Sequence, residues 1–221
     1  MAMKKSQAIA RFNMIEQQIR PWDVLDPVTL SLLELVCREN YVPAAYQGLA
    51  FADLEIPLGH NEKMLSPKLE ARILQSLNIK KSDHILHVGT GSGYFDALLA
   101  SLAYDLITLD IHLEFIKRAK DLHKRDQFNN INYQHANGLL GWQEHAPYDV
   151  IVFTGSYPEQ PIGLHEQLKI GGRLFLIEGI APMMTAKLTS RIDEYQFEEK
   201  ILFDTVIDTL TSKWKSPNFT F

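Results

Sequence analysis

Apolar residues recur along this 221-residue chain in two rhythms, and the change between them falls near residue 80. Before that point, apolar residues at helical spacing predict helices over 7–19 and 27–38. Pro67 directly after Ser66 is typical of a helix start and predicts a third helix that ends near residue 77. The stretch 41–61 is rich in proline and glycine, so it is predicted to be irregular.

Beyond residue 80, short apolar runs alternate with amphipathic stretches. The predicted strands lie near 84–88, 105–109, 131–135, 149–154 and 172–178. The predicted helices lie near 94–103, 112–126 and 160–168. This alternation indicates a parallel sheet with helices on both faces. No crossover helix precedes the last segments, so antiparallel additions to the sheet edge are expected near 186–191, 199–207 and 214–220. The sequence therefore predicts an α/β fold, with a helical N-terminal lobe (1–78) and an α/β unit (79–221).

Composition and charge narrow the classes of partner. The net charge is -5 and no block of Lys or Arg is present, which argues against nucleic acid. No apolar run approaches the roughly 20 residues that a bilayer-spanning helix needs, which argues against a membrane. The single cysteine, Cys37, cannot form an internal disulfide, so a cytoplasmic location is expected. Its apolar neighbours predict a packed core thiol. The sequence gives no prediction of oligomeric state.

The best candidate for chemistry is a glycine turn after the first predicted strand. Gly89, Gly91 and Gly93 follow an apolar run directly and precede a helical pattern, so a ligand could lie against bare backbone there. A second apolar run ends at Asp110, 21 positions after Gly89. A carboxylate at the tip of the neighbouring strand can accept hydrogen bonds from both hydroxyls of a ribose. The pair predicts a ribose-bearing cofactor.

Two features favour S-adenosylmethionine over a nicotinamide dinucleotide. The dinucleotide motif places its third glycine one position later than Gly93, where a helix approaches a pyrophosphate. About 80 residues also precede the first strand, whereas dinucleotide domains commonly begin with it. No metal site is predicted, because His84 and His87 lie on opposite faces of their strand.

Eight short segments occur in an order that resembles one enzyme family. They are residues 12–21 (FNMIEQQIRP), 41–43 (YVP), 50–53 (AFAD), 57–60 (PLGH), 88–94 (VGTGSGY), 141–142 (GW), 145–152 (HAPYDVIV) and 168–174 (LKIGGRL). Together they resemble the protein-L-isoaspartate O-methyltransferases over nearly the whole chain. The first segment and the Gly-Trp pair are more specific than the glycine turn.

The resemblance implies a Rossmann-like, S-adenosylmethionine-dependent methyltransferase fold. It implies methyl transfer to the carboxylate of an isoaspartyl residue in damaged protein or peptide, with S-adenosylhomocysteine as the product. By matched position, the cofactor-binding residues would be His87, Gly89, Thr90, Gly91, Ser92, Gly93, Asp110, Ile111, Asn137, Gly138 and Leu139. The substrate side would comprise Lys63, Leu65, Thr154, Gly155 and Ser156.

The chain departs from the family pattern at three places. Leu65 stands at the family's catalytic serine position and Lys63 at its threonine, so Ser66 is the nearest candidate hydroxyl, although it is expected to face elsewhere as a helix cap. His87 stands where an acidic residue usually ends the first strand. Asn137 replaces the usual aspartate beside the adenine, and its amide oxygen can still accept a hydrogen bond.

These departures leave three functions open. The first is carboxyl O-methylation, which survives the loss of the serine because an ionised carboxylate needs no general base. The second is a methyltransferase with a different acceptor, including a small molecule. The third is a non-catalytic cofactor-binding protein of the same fold. A nicotinamide oxidoreductase is a more distant alternative.

Overall fold

The N-terminal part of the computed structural model, which describes residues 2–210, is mainly helical. Helix α1 spans Ala2–Met14, and a five-residue π-helix, Ile15–Ile19, continues it. Helix α2 spans Pro27–Leu35 and helix α3 spans Pro67–Leu77. Between α2 and α3 lies a short antiparallel hairpin of strand β1 (Ile56–Gly59) and strand β2 (Glu62–Met64). The three predicted helices are confirmed, whereas strand β1 of the hairpin lies in the stretch 41–61, which was predicted to be irregular.

Seven strands and two further helices form the α/β part. The strands are β3 (His84–Val88), β4 (Asp105–Asp110), β5 (Ile131–His135), β6 (Tyr148–Tyr157), β7 (Leu168–Ile180), β8 (Met183–Arg191) and β9 (Phe197–Asp204). The helices are α4 (Tyr94–Leu102) and α5 (Leu113–Arg125). The sheet order is β5-β4-β3-β6-β7-β8-β9, and neighbouring strands are parallel except for the antiparallel pairs β7–β8 and β8–β9. The predicted α/β fold with antiparallel edge strands is confirmed.

The strand order places a crevice beyond the end of β3. Strand β3 pairs with β4 on one side and with β6 on the other, so the chain leaves it in two directions. Ligands of open α/β sheets bind at such a reversal, beyond the carboxyl ends of the strands. Ile85, Leu86, His87 and Val88 are all buried, as expected of a central strand covered on both faces.

Three local predictions are wrong. No helix forms over 160–168, because Pro161 fixes the backbone and Gly163 takes a φ of +87°, which leaves only a 3₁₀ turn at His165–Gln167. Helix α2 ends at Leu35 rather than near residue 38, and Cys37 is half-buried at the turn that follows rather than packed in the core. The strand predicted at 214–220 lies outside the described residues.

A buried ion pair connects the 3₁₀ turn Arg38–Asn40 to helix α3. The Arg38 guanidinium contacts the Glu70 carboxylate, and both side chains are almost fully buried. Its other nitrogens donate hydrogen bonds to the carbonyl oxygens of Ala50, at 3.0 Å, and Leu65, at 2.7 Å. Arg38 therefore fixes the backbone at Leu65, the position that the sequence places on the substrate side.

The larger hydrophobic cluster contains residues from both sides of position 78, including Leu33, Leu74 and Phe175. The division into a lobe and an α/β unit stays a prediction. Within residues 2–210, no helix combines the length and the apolar character that a bilayer crossing requires.

Candidate functional site

A cleft opens at the carboxyl ends of β3, β4 and β6. Its empty space, counted out into the solvent at the mouth, is about 770 Å³. Of the predicted site residues, those that line it are Lys63, Leu65, Gly89, Gly91, Asp110, Ile111, Asn137, Gly138, Leu139, Thr154 and Gly155. The structure thus brings together most of the positions that the sequence singled out.

The glycine turn forms the floor of this cleft. Gly89 has a φ of +108°, and a Cβ atom there would lie 2.6 Å from Thr154 Oγ1. At Gly93, a Cβ would lie 2.9 Å from the Cβ of Ala119 on α5. Only glycine satisfies both the backbone angle and the available space at these two positions. The turn therefore exposes backbone to the cleft on one side and packs against helix α5 on the other.

Thr90 and Ser92, two other predicted cofactor residues, stabilise the turn without lining the cleft. Thr90 Oγ1 lies 2.6 Å from Thr108 Oγ1, and Ser92 Oγ accepts a hydrogen bond from the Tyr94 N–H at 3.1 Å. Both side chains are buried. Their hydroxyls are therefore occupied inside the protein.

Asp110, at the end of β4, locks the turn to the neighbouring strand. Its Oδ2 accepts a hydrogen bond from the Gly91 N–H at 2.9 Å, and its Oδ1 accepts one from the His112 N–H at 2.8 Å. Burial raises the pKa of Asp110, although these two bonds oppose the rise. Each carboxylate oxygen keeps capacity for a further donor, so the group can still bind a ligand hydroxyl.

The wall opposite the hairpin contains Asn137, Gly138 and Leu139. A Cβ at Gly138 would lie 2.7 Å from Val88 Cγ1, so this segment packs directly against the end of β3. Asn137 Oδ1 accepts a hydrogen bond from the Leu139 N–H at 3.1 Å. The Asn137 side chain thus stabilises the turn over 137–139, and its oxygen can still accept one further hydrogen bond.

On the substrate side, Lys63 lies between two carboxylates. Its Nζ is 2.9 Å from Asp208 and 3.2 Å from Glu55. Hydrogen bonds to Asp208 and Glu55 raise the pKa of Lys63, so it is charged at neutral pH.

Ser66, the candidate catalytic hydroxyl, lies outside the cleft. It borders a neighbouring groove with Trp22 and Arg72, whereas Leu65 lines the cleft itself. Successive side chains of an extended segment point to opposite sides, which explains the separation. Ser66 takes the N-cap position of α3 without a side-chain hydrogen bond to the helix.

His87 and Ser156 also lie behind the cleft wall. The imidazole of His87 is fully buried, with Nδ1 at 2.5 Å from Asp96 Oδ1 and Nε2 at 3.0 Å from Thr154 Oγ1. It can therefore reach a ligand only through Thr154. Asp96 was not predicted, because it lies nine positions later on another element. The sequence feature that could have indicated Asp96 is that it is a lone carboxylate within the apolar helix α4.

The segment after β9 completes the cleft, a role that was not predicted from the sequence. Ile207, Asp208, Thr209 and Leu210 all line the cleft. The Ser156 N–H donates to the Asp208 carbonyl at 3.0 Å, and the Leu210 N–H donates to the Ser156 carbonyl at 3.0 Å. These bonds pair the segment with β6 and bring Asp208 within 2.9 Å of Lys63 on the hairpin.

Comparisons with known proteins agree on one family. Residues 11–214 match the model of the family described as protein-L-isoaspartate(D-aspartate) O-methyltransferase. The chain is 32% identical over 191 residues to the protein-L-isoaspartate O-methyltransferase of Picosynechococcus sp., covering 86% of each protein. It is 31% identical over 198 residues to protein-L-isoaspartate O-methyltransferase 2 of Pelobacter propionicus, covering 88% of each.

A solved structure shows the same fold. It is a crystal structure assigned to a Plasmodium falciparum protein-L-isoaspartate O-methyltransferase in complex with S-adenosyl-L-homocysteine. The TM-score is 0.76 at 18% identity, with coverage of 93% of this chain and 98% of that one.

Proposed function

Because this chain belongs to the protein-L-isoaspartate(D-aspartate) O-methyltransferase family, we propose that it methylates the carboxylate of isoaspartyl residues in damaged protein, with S-adenosylmethionine as the methyl donor. The observation that carries this proposal is a single cleft that combines the backbone of Gly89 and Gly91 with the carboxylate of Asp110.

The residues of the cleft fit S-adenosylmethionine better than a phosphate-bearing cofactor. Among residues 2–210, four carboxyl-bearing residues and one lysine line the cleft, namely Glu55, Glu62, Asp110, Asp208 and Lys63. Such a lining attracts a cationic sulfonium and repels a pyrophosphate. When bound, S-adenosylmethionine supplies a methyl group that its positive sulfur activates for displacement. Asp110 would hold the ribose hydroxyls, and Asn137 to Leu139 would flank the adenine.

For an isoaspartyl acceptor, the protein needs to supply position rather than a base. A carboxylate with an ordinary pKa near 3.9 is ionised at neutral pH. Well-oriented reactants gain roughly 7–11 kcal/mol from proximity alone, whereas one hydrogen bond to a charged group is worth about 1.5–3 kcal/mol. Leu65 at the serine position therefore reduces acceptor orientation without removing the chemistry.

The acceptor carboxylate would bind Lys63 by displacing one of the carboxylates that now pair with it. Its partners Asp208 and Glu55 are 50% and 30% exposed, so these pairs are surface ion pairs. Pairs of this kind contribute about 0–1 kcal/mol. A substrate carboxylate can therefore take the place of Asp208 on Lys63 at small cost.

Replacing Asp110 with asparagine should weaken S-adenosylmethionine binding about 10- to 100-fold, because a charged hydrogen-bond acceptor for the ribose is lost. Calorimetric titration at neutral pH measures the effect. Asp105→Asn is the matched control, because Asp105 lies at the other end of β4 and pairs with His84. Equal affinity of the Asp110 variant and the wild type would contradict the assignment.

The same carboxylate sets an expected pH dependence. Because burial raises the pKa of Asp110, protonation on acidification should begin at a higher pH than for an exposed aspartate. Cofactor affinity should then fall as the pH drops through that raised pKa, and it should be constant above it.

Replacing Lys63 with glutamine should raise the KM for an isoaspartyl peptide up to about 5-fold, because a surface charge of this kind contributes at most about 1 kcal/mol. The kcat should change less. Lys124→Gln, on the far end of α5, is the matched control. A decrease in KM would show that Lys63 does not meet the acceptor.

The direct test of the proposed function is base-labile methyl ester formation. An isoaspartyl peptide and the same peptide with ordinary aspartate are incubated with labelled S-adenosylmethionine. Label on the first peptide alone supports the proposal. No label on either peptide, with cofactor binding established by titration, would overturn it.

A further inference from the structure

Three side chains at the end of β3 form a chain of hydrogen bonds that leads out of the protein interior into the cleft. Asp96 Oδ1 lies 2.5 Å from His87 Nδ1, and His87 Nε2 lies 3.0 Å from Thr154 Oγ1. Asp96 and His87 are fully buried, whereas Thr154 is partly exposed and lines the cleft. The order of carboxylate, imidazole and hydroxyl is that of a nucleophile with its base and the base's orienting group.

The position of Thr154 follows from the sheet. Val88 pairs with Phe153, and this is the last pair between β3 and β6. The register of β6 against β7 shifts between Val152 and Ser156. Such irregularities re-aim side chains next to functional sites. Here the hydroxyl is brought against Gly89, where a Cβ would lie 2.6 Å away.

Asp96 presents one of its carboxyl oxygens to the imidazole of His87. Its Oδ1 contacts the imidazole, and its buried Oδ2 has no hydrogen-bond partner among residues 2–210. An ionised Asp96 requires the proton on Nδ1, which leaves the lone pair of Nε2 facing Thr154. The Thr154 hydroxyl can then donate to Nε2, or to the Gly89 carbonyl oxygen, which is also 3.0 Å away.

Methylation of an isoaspartyl carboxylate makes no use of this arrangement, since an ionised carboxylate has no proton to lose. An acceptor with a hydroxyl group must lose one. We propose that Thr154, His87 and Asp96 form a proton relay that extends the activity of this cleft to an uncharged hydroxyl acceptor, which is converted to a methyl ether. This inference rests on the proposed function, because it uses the same cofactor in the same cleft.

In the proposed step the oxygen–hydrogen bond of the acceptor breaks, and its proton passes to Thr154 Oγ1. The hydroxyl proton of Thr154 passes at the same time to His87 Nε2. The electron pair left on the acceptor oxygen forms the bond to the methyl carbon, while the carbon–sulfur bond breaks and its pair stays on sulfur. His87 ends as an imidazolium beside the Asp96 carboxylate and returns its proton through Thr154 to water.

The charges at the mouth of the cleft suit such an acceptor. Lys63 is shared by Asp208 and Glu55, so this group carries a net charge of -1 when all three are ionised. An uncharged hydroxyl compound enters without displacing Asp208 from the lysine. A carboxylate must exchange with it.

The activity test compares two kinds of methyl product from matched peptides. One peptide contains isoaspartate, and two others contain tyrosine or serine at the same position. Base-stable label on the tyrosine or serine peptide supports the relay. Base-labile label on the isoaspartyl peptide without base-stable label on either of the others would overturn the relay alone, and label on none would overturn the proposed function as well.

The variants separate a relay from a structural role. Asp96→Asn presents an amide that donates to Nδ1 and thereby makes Nε2 the protonated nitrogen. It should lower the ratio of base-stable to base-labile product roughly 100-fold, within the range of general acid–base contributions. Thr154→Val should have the same effect and Thr154→Ser should restore the ratio. A parallel fall of both products would overturn the relay.

Nitrogen NMR of the protein without cofactor gives an independent readout. The relay requires His87 at neutral pH to be protonated at Nδ1 and bare at Nε2. Nitrogen chemical shifts that show this protonation pattern in the wild type, and the reverse pattern in Asp96→Asn, support the relay. A protonated Nε2 in the wild type would overturn it, because the hydroxyl would then face a donor.

Discussion

Replacing Gly89 with alanine is expected to weaken S-adenosylmethionine binding by about 100-fold or more. Gly89 has a φ of +108°, and the added Cβ would lie 2.6 Å from Thr154 Oγ1. Backbone strain of this kind costs about 1–3 kcal/mol, overpacking costs a similar amount, and each 1.4 kcal/mol is about tenfold in affinity. Moving the turn relieves the backbone strain, but it also displaces the backbone of Gly89 and Gly91 that lines the proposed cofactor site.

Calorimetric titration with S-adenosylmethionine measures this effect, and circular dichroism confirms that the variant is folded. Gly48→Ala is the matched control, because a Cβ at Gly48 meets nothing within 4 Å and its φ is not positive. A folded Gly89 variant that binds within threefold of the wild type would show that the turn is not part of the cofactor site.

Replacing Arg38 with methionine is expected to lower the free energy of unfolding by about 3–5 kcal/mol, because the Glu70 carboxylate is then buried without a partner. Since folded domains are stable by only about 5–15 kcal/mol, the variant should lie close to its unfolding transition at room temperature. Urea titration followed by circular dichroism provides the measurement.

Two further variants test whether the unpaired Glu70 carboxylate causes this loss of stability. Arg20→Met removes a surface ion pair with Glu16 and should change stability by about 0.5 kcal/mol or less. The double variant Arg38→Met with Glu70→Leu should recover most of the loss, because replacing both partners leaves no unpaired charge. If the double variant were no more stable than Arg38→Met, the cost would come from the lost bonds to Ala50 and Leu65.

The sheet and its glycine turn were predictable from local pattern. Strands β3 and β4 match the predicted ranges closely, because buried strands are apolar runs and the three glycines mark the turn after β3. Strand β5, at the edge of the sheet and without a fully buried residue, also matches its predicted range. Asp110 was predicted from its spacing to Gly89, and the structure brings the two to one cleft. In both cases the predicted residues lie at the carboxyl end of a strand or directly after it.

The features that the sequence did not reveal depend on contacts between distant residues. Asp96 acquires its partner only when α4 packs against β3. Asp208 reaches the cleft only because backbone bonds to Ser156 hold its segment there. The absent helix at 160–168 is a local error, since Pro161 and Gly163 were visible breakers in an otherwise helical pattern.

The cleft is assembled from two sets of segments that lie far apart along the chain. The glycine turn and Asp110 belong to consecutive strands, whereas Lys63 comes from the hairpin and Asp208 from the end of the described chain. Substitutions at Lys63 or Asp208 remove neither of the hydrogen bonds that join Asp110 to the backbone of Gly91 and His112. Evolution can therefore change which molecule receives the methyl group while preserving recognition of the methyl donor. Leu65, at the family's serine position, is a change of this kind.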